Sequence, residues 1–373
     1  MPPHSLSSTP LFSAEDHARM ARALRLAEFG LYSTAPNPRV GCVIVKDGQV
    51  VGEGWHRIAG EAHAEVRALQ AAGARARGAT AYVTLEPCSH HGRTPPCAEA
   101  LVAAGVARVV AAMQDPNPKV SGRGLACLAA AGVRVECGLL EAEARELNLG
   151  FVSRMTRERP WVRVKLAASL DGKTALENGA SQWITGESAR HDGHRWRARA
   201  CAILCGMGTV LADDPQLSVR GIETPRQPLK VVVDNRLELP PTARMLDDGR
   251  TLLAAPLAAD PARAEALRAR GAEVLTLPAI DGRVDLAALL AELAQRGVNE
   301  VHVEGGPRLS GALLSAGLVD ELLLYLAPSL LGDQACGLFS VPALTSLAEK
   351  QSLRWQDVRR VGDDLRILAR LSA

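Results

Sequence analysis

The chain has 373 residues, 47% of them hydrophobic, with 43 Lys and Arg against 41 Asp and Glu. That length exceeds one ordinary core and predicts two domains. A net charge of +2 and only 3% aromatic residues argue against a protein that grips nucleic acid through a global field or a stacking platform.

In chain order, residues 1–13 read as a polar leader without the apolar core of a signal peptide. AEDHARMARALRLAEFG (14–30) has helical spacing and stops at Gly30. GCVIV and QVVGEGW read as strands joined at Lys46-Asp47-Gly48. EAHAEVRALQAAG (61–73) is helical, ATAYVTLEPC (79–88) a strand, and PPCAEALVAAG (95–105) a helix opened by prolines. ARVVAAM, GRGLACLAAAG and VRVECG add a strand, a helix and a strand, closing an alternating α/β unit near residue 150. FVSRMTRERP (151–160) is a charged break in composition. A second α/β series follows, with strands expected at WVRVKLAAS, CAILCG, LKVVVD, TLLAA, EVLTL, EVHVEG and ELLLYLA. ADPARAEALRARGAE and DLAALLAELAQRG are its clearest helices. No run of about 18 apolar residues occurs, so no membrane span is expected. Eight scattered cysteines in so long a chain predict a reducing, cytoplasmic setting, with cysteines as ligands or core residues rather than bridges.

The first unit carries His63, Glu65, Cys88 and Cys97. One nitrogen and two thiolates are the donor set of a catalytic zinc site that keeps its fourth place for water. Both His63 and Cys97 fall at predicted helix starts, where the helix end favours a thiolate. Glu65 stands two residues past His63, and such positions do not share a helix face. It is therefore read as the proton shuttle for the activated water rather than as a ligand. Two alternatives stay open at this level: ordinary core packing, or a structural zinc site with His90 or His91 as fourth ligand.

HAE followed by TLEPCSHHGRTPPC resembles the cytidine-deaminase-like zinc deaminases. Eight residues rather than two separate the cysteines, and this long motif resembles the pyrimidine deaminases of riboflavin biosynthesis. The resemblance implies one zinc on His63, Cys88 and Cys97, with His90 and His91 in an inserted loop over the pocket. Asn37, on the loop PNPRVG, would read the polar edge of the pyrimidine. QDPNPKVSGRG (114–124) would close the ribose-phosphate side through Lys119 and backbone amides near Gly122.

From Pro160 onward the chain resembles the dihydrofolate-reductase-like reductases fused to these deaminases. VKLAASLDGKTA (164–175), SQWITG (181–186), RARACAILCGMGTVLADDPQLSVR (197–220) and VEGGPRLSGALL (303–314) carry the likeness. The glycine turn before Pro307 can cradle phosphates but is not the Rossmann fingerprint. The resemblance implies substrate contacts at Ser181, Arg197, Leu217, Arg220 and Glu304, with Lys165 near the ribose being reduced. Arg197 and Arg220 are expected at the substrate phosphate. It also implies contacts with NADPH at Ala167, Trp183, Thr209, Asp213 and Asn235, and along Gly306, Pro307, Arg308, Leu309, Ser310, Gly311 and Ala312. Asp171 is either their neighbour in the SLDG turn or simply a turn cap.

The expectation is thus a cytidine-deaminase-like α/β/α domain over 13–155 and a dihydrofolate-reductase-like α/β domain over 160–373. Together they would deaminate a diaminopyrimidinone ribosylamine phosphate and then reduce its ribosyl group to ribityl. The expected partner is this small molecule, with no nucleic acid and no membrane, and the family commonly forms homo-oligomers. A zinc deaminase for a nucleoside or tRNA base would have no use for the reductase pattern. A zinc-stabilised binding protein would not need the HAE triplet.

Overall fold

The computed structural model describes residues 12–89, 96–118 and 120–372. It divides into two compact units, 1–156 and 157–373. The stretch 151–160, expected as a break, is helical as far as Arg157, and Phe151 and Ser153 are buried within it.

Unit 1 begins with α1 (Ala14–Glu28), where Ser13 and Asp16 cap each other's backbone amides. It continues through β1 (Gly41–Lys46), β2 (Gln49–Trp55), α2 (Ala64–Ala72) and β3 (Thr80–Val83). Next come α3 (Cys97–Ala103), β4 (Arg108–Ala111), α4 (Arg123–Ala130), β5 (Arg134–Cys137), α5 (Glu141–Leu147) and α6 (Leu149–Arg157). The sheet order is β2-β1-β3-β4-β5, with β1 antiparallel to its neighbours and β3, β4 and β5 parallel.

Alternation along the strands builds two cores. Cys42, Ile44, Ala81, Val83 and Val109 pack with Ala64, Ala68, Leu101 and Leu128 of α2, α3 and α4. Val43, Val45, Tyr82 and Val110 pack with Met20 and Ala23 of α1 and Phe151 of α6. Gly54 sets the seat of α2. A Cβ there would lie 2.4 Å from the Ala64 carbonyl oxygen and 2.7 Å from the Ala68 nitrogen. The bare backbone of β2 therefore lets α2 lie directly on the sheet.

Unit 2 runs through β6 (Trp161–Ser169), β7 (Lys173–Ala175), α7 (Glu187–Arg199), β8 (Ala202–Gly206), α8 (Met207–Asp213) and β9 (Leu229–Val233). It continues with β10 (Thr251–Pro256), α9 (Pro261–Arg268), β11 (Glu273–Leu277), β12 (Ala279–Ile280), β13 (Arg283–Val284) and α10 (Leu286–Gln295). The last elements are β14 (Glu300–Val303), α11 (Pro307–Ser315), β15 (Glu321–Ala327), β16 (Cys336–Gly337), β17 (Leu353–Val361) and β18 (Asp364–Leu371).

Nine strands form one sheet in the order β11-β10-β9-β8-β14-β6-β15-β18-β17. The seven expected strands are its parallel part. The antiparallel pair β17–β18 was not expected, because β17 (LRWQDVRRV) is an edge strand largely exposed on both faces and shows no clean apolar alternation. Beneath the sheet's centre lies an ionic cluster. Arg163 is 1% exposed and bonds Glu321 at 2.5 Å and Glu300 at 3.1 Å.

Candidate active sites

In unit 1 three elements deliver three ligand-type atoms to one point. His63 is the N-cap of α2, Cys97 the first residue of α3, and Cys88 sits on the segment after β3. The strand ends at Val83, short of the expected Cys88, which frees that segment to turn toward α3. The Cys97 amide donates to Cys88 Sγ at 3.3 Å, and the Ala98 amide to the Cys88 carbonyl at 3.1 Å. The start of α3 thus grips Cys88 and favours its thiolate.

His63 Nδ1 lies 3.6 Å from Cys88 Sγ and 3.3 Å from Cys97 Sγ, and the three atoms fall within 4.8 Å of one another. A tetrahedral zinc with Zn–S about 2.3 Å and Zn–N about 2.0 Å separates N and S ligands by about 3.6 Å. The donor set and its spacing therefore fit zinc. Without a cation the two sulfurs compete for charge. The hydrogen bond between them and then the nearby His63 hold the Cys88 thiol down at about 4, and that same hydrogen bond, followed by burial, pushes Cys97 far up. A divalent cation resolves that conflict by neutralising both.

Glu65 is 3% exposed and sits beside this triad. Burial, then the charge of Cys88, raises its carboxyl to about 7. Because His63 is the cap and not a helical residue, the i, i+2 separation does not hold the two side chains apart. His90, His91 and Lys119 lie outside the described residues.

Two residues here escaped the sequence reading. His56, 2% exposed, stacks edge-on to His63 with ring centroids 5.3 Å apart. Burial lowers its pKa, so the ring is neutral. Its Nδ1 faces the Ala62 carbonyl at 3.4 Å, and its Nε2 lies 3.1 Å from Asn37 Nδ2. A carbonyl only accepts, so Nδ1 carries the proton and Nε2 accepts from the Asn37 amide. Asn37 Oδ1 is thereby turned away from His56, ready to accept. Glu86, 3% exposed, takes the amides of Gly122 at 2.9 Å and Gly124 at 2.8 Å. The expectation that amides near Gly122 bind a phosphate is thus corrected, since a protein carboxylate already uses them.

In unit 2 a cavity of about 1710 Å³ opens at the carboxyl ends of β6, β8, β9 and β14. This is where parallel sheets place ligands. All the substrate contacts expected in this half line it, as do all the expected cofactor contacts except Ser310 and Gly311. Those two face the other side of α11: Ser310 is fully buried, and a Cβ on Gly311 would meet the Ser340 carbonyl at 2.1 Å.

Glu304 continues β14 into the cavity. Arg197 donates to it twice, at 2.5 and 2.8 Å, and to the Ser218 carbonyl at 3.0 Å. Burial pushes the Glu304 carboxyl up, but Arg197 outweighs this and holds it well below the usual range. Arg197 is thus paired with Glu304 where both line the cavity. Arg220 forms no ion pair among the described residues, and burial and its neighbours Arg197 and Arg244 lower its pKa. Lys165 is half-buried, its ammonium 5.9 Å from the centre of the Tyr325 ring, and burial lowers its pKa. Asp171 lies off the cavity: it accepts from Ser169 and from the amides of Leu331 and Gly332, so it is a loop fastener.

Comparisons with known families match both units. Residues 13–113 match the cytidine and deoxycytidylate deaminase zinc-binding region, and residues 160–367 match the RibD C-terminal domain. The class is therefore a zinc deaminase fused to a reductase. The riboflavin biosynthesis protein RibD of Escherichia coli (strain K12) is 50% identical over 364 residues, covering 94% of this chain and 98% of the relative. That of Haemophilus influenzae is 46% identical over 370 residues, covering 95% and 97%. The structure of Acinetobacter baumannii RibD aligns with a TM-score of 0.90 at 44% identity, covering 96% of this chain and 99% of that one. A Thermotoga maritima diaminohydroxyphosphoribosylaminopyrimidine deaminase/5-amino-6-(5-phosphoribosylamino)uracil reductase aligns at 0.84 and 33% identity, covering 96% and 99%. The chain belongs to the RibD family.

Proposed function

We propose that His63, Cys88 and Cys97 hold the zinc of a deaminase domain spanning 13–155, that Glu65 carries its proton, and that residues 160–373 form the reductase. The observation that carries this is the convergence of three zinc-type ligand atoms with a buried carboxylate beside them. The chain is a bifunctional enzyme of riboflavin biosynthesis. It hydrolytically deaminates 2,5-diamino-6-ribosylamino-4(3H)-pyrimidinone 5′-phosphate, then reduces the ribosyl group to ribityl with NADPH.

Zinc, when bound, supplies Lewis-acid activation of water at neutral pH. Glu65 takes the proton given up by that water and returns it to the amino group leaving C2. Asn37 Oδ1, fixed by His56, accepts from an N–H on the pyrimidine edge. His90 is assigned to substrate by resemblance alone.

In the reductase, NADPH, when bound, would supply the hydride for C1′, with a proton taken up from solvent, and the protein chiefly positions the two partners. Ser181, Leu217, Lys165 and Glu304 meet the substrate, and Arg197 orients Glu304. Arg220 is left to take the phosphate. Ala167, Trp183, Thr209, Asp213 and Asn235 contact NADPH, together with the turn from Gly306 to Leu309 and Ala312.

No described helix is long and apolar enough to cross a membrane. A cytoplasmic setting is supported by eight free cysteines. A homo-oligomer is supported by the family likeness and by exposed apolar side chains on unit 2, among them Leu344, Leu347 and Trp355.

Glu65→Gln tests the deaminase assignment. Ammonia release is expected to fall at least about 100-fold while zinc content and NADPH oxidation on pre-deaminated substrate stay unchanged. Surviving ammonia release would overturn the role of Glu65.

A further inference from the structure

We infer that Glu86 is a positioning residue of the deaminase: its carboxylate fastens Asp115 and the turn from Gly122 to Leu125, the two ends of one loop, as a wall of the pyrimidine pocket. The inference rests on the deaminase reading of unit 1.

Glu86 Oε2 accepts from the amides of Asp115 at 3.0 Å and Gly122 at 2.9 Å. Its Oε1 accepts from those of Gly124 at 2.8 Å and Leu125 at 3.3 Å. Its own amide donates to the Met113 carbonyl at 2.9 Å. One buried side chain therefore satisfies four donors of this segment, and the N-cap residue of α4, Gly122, has no side chain to cap the helix itself. The N-cap of α4, Gly122, is left-handed at φ 78°. The amides of Gly122, Gly124 and Leu125 point to the Glu86 carboxylate, while that of Arg123 between them donates to the Val120 carbonyl. Loss of the carboxylate would strand buried amides.

The loop's place gives the clamp its function. β3 and β4 are adjacent and parallel, so the segments leaving their carboxyl ends run side by side. One of these segments is Glu86-Pro87-Cys88. The other is the loop, and the two are in contact: a Cβ on Gly124 would stand 1.9 Å from the Pro87 carbonyl oxygen. Small molecules bind at such strand ends. Glu86 thus ties this wall to the backbone that delivers Cys88. The amides of Gly122, Gly124 and Leu125 are consumed internally, so the loop meets substrate through its remaining groups.

The test compares wild type with Glu86→Ala and Glu86→Gln in the full chain. It measures zinc content, steady-state ammonia release, NADPH oxidation on pre-deaminated substrate, and amide hydrogen exchange. Wild-type ammonia release is recorded first, since its absence refutes the deaminase reading itself. We expect zinc and reductase turnover to be unchanged, KM for deamination to rise at least tenfold with a smaller change in kcat, and faster exchange confined to 115–125. Kinetics equal to wild type would overturn the inference. So would zinc loss, which would place the effect at Cys88. If Glu86→Ala leaves unit 1 unfolded, Glu86→Gln, which keeps the shape and one acceptor, decides: exchange spread across the sheet makes Glu86 a general core residue and overturns its positioning role.

Discussion

Replacing Arg197 with Met tests how the reductase cavity holds its charge. The side chains of Arg197 and Glu304 are 15% and 14% exposed. Removing one partner of such a pair costs about 3–5 kcal/mol, because a buried charge is left behind. The sign of the pH dependence follows from Glu304. In the native protein its folded pKa is depressed, so its stabilisation is fully present above the unfolded carboxyl value and fades as pH falls through the folded one. Without Arg197, burial is opposed by the weaker influences of His302 and Lys165, with Arg220 also near. The folded pKa then rises above the unfolded value, and the penalty is greatest at pH 7 and shrinks toward pH 5. The expected destabilisation is about 3–5 kcal/mol at pH 7, smaller at pH 5 by at least about 1.4 kcal/mol, the worth of one pKa unit. Urea unfolding followed by tryptophan fluorescence reads this, since Trp161, Trp183, Trp196 and Trp355 all belong to unit 2. Equal destabilisation at both pH values would refute the reasoning about Glu304.

Two further outcomes are expected. Stripping the metal with a chelator should abolish ammonia release and leave NADPH oxidation on pre-deaminated substrate intact, because the two units have separate cores; parallel assays would expose any loss of both. His56→Phe keeps the ring volume but releases the Asn37 amide. It should raise the deaminase KM about fivefold to tenfold, the loss of about 1 kcal/mol for one hydrogen bond, with zinc content unchanged. An unaltered KM would show that Asn37 needs no such anchor.

The candidate metal cluster was legible because its chemistry is carried by residue type and local spacing: a His-Ala-Glu triplet and two cysteines in a Pro-rich stretch. The seven parallel strands were legible for the same reason, since buried strands are dense in apolar residues. The edge pair β17–β18 was not, because an exposed edge strand has no inside face to mark it.

Residue types and local spacing by themselves pointed to a zinc-type donor set, to two α/β units and to seven strands of the second unit, while the order of strands in each sheet came only with the tertiary structure. Only the tertiary structure decided how polar groups are paired. Glu86 finds its donors 29 to 39 positions away, Asn37 meets His56 across 19, and Arg197 meets Glu304 across 107. It also decided that Ser310 and Gly311 turn inward while their neighbours on α11 face the cavity. The physical reason is range. Periodicity and turn chemistry act over a few residues, whereas burial and hydrogen-bond satisfaction are settled only when distant segments meet and no buried donor can be left to water.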